Sequence, residues 1–92
     1  MKYSMWVKQE KESLLRIRHL LINSGFKTDS LNTVTGERKP IPDDYPIEKI
    51  FFLDDNIIFV SNYKGESPPN QEVLKKLQEG KEPLSVTIEI NR

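Results

Sequence analysis

The chain has 92 residues, enough for one domain with a single modest core and no covalent staples. Its 14 basic and 14 acidic residues cancel, which leaves no overall electrostatic footprint for nucleic acid or an anionic membrane. With no cysteine there can be no disulfide framework and no thiolate metal site.

No apolar run is long enough for a membrane helix, and the first residues, MKYSMWVKQEKES, lack the apolar centre of a secretion signal. A cytoplasmic protein without membrane attachment is expected. The apolar fraction is only 36%, but the apolar residues are clustered, which argues for a folded domain rather than a disordered chain.

The first seven residues alternate, with Tyr3, Met5 and Val7 on one side and Lys2, Ser4 and Trp6 on the other. That pattern predicts a short strand, with a helix beginning near Ser4 as the alternative. Residues 9–24 form the strongest helical pattern. At about 100° per residue, Leu14, Ile17, Leu20 and Leu21 share a face, with Leu15 and Ile22 beside it. Gly25 is placed to end this helix in the left-handed conformation, and Phe26 to fold back on its last turn.

Residues 27–46 have no usable period and carry Pro40, Pro42 and Pro46. They predict a long proline-containing loop, within which Thr35-Gly36-Glu37 could turn a small flap between 31–34 and 38–41. The most apolar stretch follows. Two runs, 50–53 and 57–60, flank Asp54, Asp55 and Asn56, and predict a β-hairpin with Asn56 in the left-handed region of a three-residue turn.

A short helix is expected next, opened by Pro68 or capped by Asn70, with Val73, Leu74 and Leu77 as its apolar stripe and Gly80 as its stop. In the last ten residues Leu84, Val86, Ile88 and Ile90 alternate with Ser85, Thr87, Glu89 and Asn91. This is the mark of a half-buried strand. The resulting order is the βαββαβ pattern of ferredoxin-like domains: an α+β fold with a four-stranded antiparallel sheet and two helices on one face. If the first segment is helical, the order becomes α-ββ-α-β with a longer N-terminal helix.

Catalysis requires convergent groups, and few are visible. His19 is the only histidine and falls on the polar side of the first helix, as a solvated residue would. No serine lies in a nucleophile-elbow pattern. Asp43-Asp44 and Asp54-Asp55-Asn56 carry oxygen ligands, but neither has the spacing of a calcium loop, and turn formation accounts for both. The four glycines are isolated, so no phosphate-cradling loop is present. Neither an enzyme, a cofactor nor a resident metal is expected.

A protein-binding domain is the favoured reading: an adaptor, inhibitor or accessory subunit whose partner is another protein or a second copy of the chain. In a ferredoxin-like order the last strand is an edge. From 84 to 90 it has no proline, lysine or glycine to blunt that edge. Ser85, Thr87 and Glu89 are its candidate contact residues. Arg18 is a fourth, because it interrupts the apolar arc between Leu14/Leu21 and Leu15/Ile22. There it either snorkels to water, pairs with a carboxylate, or anchors a partner's carboxylate or phosphate. The alternative reading is RNA or single-stranded DNA bound on the sheet face, with bases stacked on Trp6, Phe59 and Tyr63.

Overall fold

The computed structural model describes residues 2–68, 71–79 and 85–91. The chain runs β1 (Lys2–Glu10), α1 (Lys11–Asn23), β2 (Lys27–Asn32), β3 (Arg38–Ile41), α2 (Ile47–Phe51), β4 (Ile57–Gly65), α3 (Gln71–Gln78) and β5 (Ser85–Asn91). The sheet has five strands in the order β3-β2-β4-β1-β5, and every neighbouring pair is antiparallel. An α+β fold is therefore present, but with five strands where four were expected. The N-terminal segment is strand through Glu10, which rules out the longer N-terminal helix. Asn70, Gly80 and Leu84, which the sequence marked as cap, stop and core position, lie outside the described residues.

Alternation along the strands separates two faces. Met5 and Val7 of β1 and Phe59 of β4 point to the side where Leu14 and Leu21 of α1, Ile50 of α2, and Val73 and Leu77 of α3 complete the core. Gln9, Ser61 and Thr28 lie on that same face. They form a polar seam across three strands, with Gln9 Nε2 donating to Ser61 Oγ at 3.0 Å and Thr28 Oγ1 at 2.8 Å from Ser61 Oγ. Trp6, Lys8, Ile58, Val60 and Asn62 have the opposite parity, and none of them belongs to the helix-covered cluster.

Helix α1 stops as expected. Gly25 takes a φ of 85°, and Phe26 returns, its amide donating to the Leu21 carbonyl at 3.0 Å and its ring buried. Because only glycine enters this region freely, the chain can reverse here and begin β2 at once.

The expected hairpin at 50–60 does not form. Residues 47–51 are helix, started by Pro46, whose carbonyl accepts from the amides of Lys49 and Ile50. A short apolar run has no period that separates strand from buried helix, and here helical spacing wins. It carries Ile50 and Leu53 inward and turns Phe51 and Phe52 outward. Asn56 is not left-handed, since no non-glycine residue has positive φ. Instead Asp54 forms a local turn, its carbonyl accepting from the Ile57 amide at 3.0 Å and its Oδ1 from the Asn56 amide at 3.0 Å.

The real hairpin lies in the segment expected to be a loop with a possible flap: its second strand is the expected 38–41, but its first is 27–32 rather than 31–34. Strands β2 and β3 pair from Thr28↔Ile41 to Leu31↔Arg38. Asn32 organises their connection, its Oδ1 accepting from the amides of Val34 and Thr35 and its carbonyl from the Gly36 amide at 2.8 Å. Pro40 is compatible with β3 because that strand is an edge, where a missing N–H need not break a ladder.

Gly36 has a φ of 76°, and a side chain there would meet nothing within 4 Å, so strain is the only cost of substitution. Gly36→Ala should lose roughly 1 kcal/mol in urea unfolding, while Asn56→Gly should bring no gain. Unchanged stability of Gly36→Ala would contradict a left-handed residue in this turn.

Candidate functional site

The two sheet edges differ in chemistry. The β3 edge presents Arg38, Lys39 and Pro40, all exposed, with Arg38 paired to Asp29 at 2.9 Å and Lys39 to Glu37 at 3.3 Å. Basic side chains and a proline are the usual guards against strand addition. On the far side, β5 pairs with β1 through Lys2↔Asn91, Ser4↔Glu89, Trp6↔Thr87 and Lys8↔Ser85, and no described strand lies beyond it.

Register then assigns the β5 residues to faces, because directly opposed residues in a sheet point the same way. Ser85, Thr87 and Glu89 occupy positions on the face not covered by helices, and Thr87 and Glu89 are exposed. Ile88 and Ile90 lie opposite Met5 and Tyr3, on the helix-covered face. Yet they remain 48% and 56% exposed, whereas Met5 is fully buried. Among the described residues, the cover over the sheet thus thins at β5. An edge with no ladder partner among the described residues and half-covered isoleucines is chemically suited to receive another strand.

Arg18 neither snorkels to water nor pairs with a carboxylate of the described residues. It is 6% exposed, and its guanidinium donates to the carbonyls of Pro42 and Asp43 at 3.0 Å each and to that of Tyr45. No ion pair among the described residues includes it. The fork is engaged within the chain, holding the 42–45 segment against α1.

The three candidate stacking aromatics do not share a surface. Trp6 lies half-buried on the face without helices, between the register positions of Asn62 and Thr87. Phe59 is fully buried on the other face. Tyr63 is on that face too, its ring 5.6 Å from Phe26 and its hydroxyl donating to the Ser67 carbonyl at 3.0 Å. Lys8 and Lys64 occupy neighbouring positions on Trp6's face, and Lys27 lies one strand further, opposite Asn62.

His19 is exposed. Asp43 pairs with Lys27 and Asp55 with Lys11, each at 3.2 Å, so the two acidic stretches are tied to separate lysines on β2 and α1. Among the described residues no group of three or more His, Asp or Glu side chains is arranged to hold a metal ion, and no helix is long and apolar enough to cross a membrane.

Sequence reasoning missed one surface feature. Phe51 and Phe52 are 61% and 81% exposed and pack edge-to-face, ring centroids 5.2 Å apart. The available signal was Pro46 before a run spaced for one helical turn. Compared with known protein families, curated proteins and solved structures, the chain shows no match.

A lysine at position 18 keeps the charge but cannot span three carbonyls with one compact ammonium. Arg18→Lys should therefore destabilise the fold by about 2 kcal/mol and make the 42–45 segment more sensitive to limited proteolysis. Wild-type stability with unchanged cleavage would contradict the clamp.

Proposed function

We propose that this chain is a small non-catalytic binding domain, an adaptor, inhibitor or accessory subunit, that engages another protein chain along the outer edge of β5. The observation that carries this reading is the asymmetry of the sheet: one edge bears Arg38, Lys39 and Pro40, the other a regular strand with half-exposed Ile88 and Ile90. Strand addition supplies affinity through backbone hydrogen bonds and specificity through alternate side chains, here Thr87 and Glu89 on one face and the isoleucines on the other. The exposed Phe51–Phe52 pair lies on α2 beside α1, away from this edge, and bears on protein binding in general rather than on β5.

The underlying architecture is read as a ferredoxin-like core of β1, α1, β2, β4, α3 and β5, with β3 and α2 inserted between its second and third strands. What supports this is the order β2-β4-β1-β5 that remains when β3 is set aside. A cytoplasmic setting suits a chain without cysteine.

A second reading, single-stranded nucleic acid on the open sheet face, draws on Trp6 and the lysines around it. It is the weaker one, since a single aromatic offers one stacking position and Phe59 and Tyr63 face the core.

Ile88→Lys tests the edge reading. A charge at a half-exposed edge position opposes strand addition, while the lysine stem can still follow the apolar surface. The variant should fold, and should lose both self-association and capture of protein partners from nuclease-treated lysate. Undiminished capture and unchanged mass in solution would overturn the reading. For nucleic acid, Trp6 fluorescence should stay constant as short single strands are added. Salt-sensitive quenching would favour the second reading.

A further inference from the structure

We infer that the strand added to β5 is β5 of a second copy, in an antiparallel pairing about a two-fold axis at Ile88. This rests on the edge reading above and names its partner. A two-fold perpendicular to the sheet keeps the helix-covered faces of both copies on one side. Opposed residues must then share parity, so a shift by one residue is forbidden.

Among the allowed registers, the one centred on Ile88 uses the whole strand, because Ser85–Asn91 has its midpoint there. It sets Ile88 against Ile88, Val86 against Ile90, Thr87 against Glu89 and Ser85 against Asn91. Each exposed isoleucine then meets an apolar position, and the only charged residue of the strand meets a threonine. Moving the axis to position 89 would oppose Glu89 to its own copy. Moving it to 87 would leave Ile90 without a partner in the strand. The formal net charge of zero adds no long-range repulsion between copies. Two five-stranded sheets would join edge to edge, with the guarded β3 strands outermost.

The chain has no cysteine, so a single introduced one reports the register directly. Opposed Cα atoms in an antiparallel pair are about 4.5–5.5 Å apart, within disulfide reach. Ile88→Cys should give a disulfide-linked dimer on mild oxidation. Ile90→Cys should not, because positions 90 of the two copies would be roughly 13 Å apart along the strands.

The exposed position 87 gives an independent reading that leaves the apolar side chains intact. Thr87→Lys places a cation opposite Glu89 of the other copy and should tighten self-association. Thr87→Glu places like charges there and should weaken it, the two differing by at least about tenfold in dimer dissociation constant. Cross-linking at 90 but not at 88, or equal dimer affinities for Thr87→Lys and Thr87→Glu, would overturn this register. A wild type that is monomeric at every concentration, with no cross-link at 88, would overturn the second copy as occupant. Loss of lysate capture in Ile88→Lys would then still separate the edge reading from this one.

Discussion

A β-sheet that does not close on itself must end twice, and each end leaves a row of backbone N–H and C=O groups without a ladder partner. In this chain β1 occupies an interior position, paired with β4 on one side and β5 on the other, and so directs one of those ends to the C-terminal strand. The β2–β3 hairpin supplies the other end and closes it off with Arg38, Lys39 and Pro40. Core packing follows the same alternation that fixes the ladders. Met5, Val7 and Phe59 meet the helices because their neighbours in sequence do not. Where the helical cover thins, at β5, Ile88 and Ile90 keep the parity of core residues without their burial.

Arg18 shows how a single buried charge shapes the opposite half of the molecule. Leaving a guanidinium in an apolar arc without acceptors would be strongly unfavourable. The carbonyls of Pro42, Asp43 and Tyr45 meet that requirement from a segment whose backbone would otherwise lack helix or strand partners. Pinning this segment to α1 sets where Pro46 starts α2. That in turn delivers Ile50 to the core and leaves Phe51 and Phe52 at the surface.

Several features were legible in the residues because their signals were periodic or tied to glycine. The alternation of Tyr3, Met5 and Val7, the apolar face of Leu14 and Leu21, the reversal at Gly25, and the alternating last strand all have their counterparts in the structure. The 27–46 segment was harder. Strand β2, KTDSLN, is polar and only half-buried, and its place in the sheet comes from pairing with β4 rather than from its own pattern. IFFL failed for the opposite reason, since four apolar residues in a row fit strand and helix alike until Pro46 and the burial of Ile50 decide between them. For the site, the unguarded edge could be read from composition, since Lys, Pro and Gly are absent from it. The role of Arg18 could not, because its acceptors are backbone carbonyls, which no side-chain pattern announces.

Hydrogen exchange along β5 at increasing protein concentration tests the central claim most directly. In an isolated copy, alternate amides of Ser85–Asn91 point away from β1 and exchange quickly, while the others are held in the β1 ladder. If β5 is completed by a second chain, the outward set becomes protected as concentration rises, and the amides of β3 do not change. Outward amides that exchange equally fast at all concentrations, or concentration-dependent protection on β3 instead, would contradict the account.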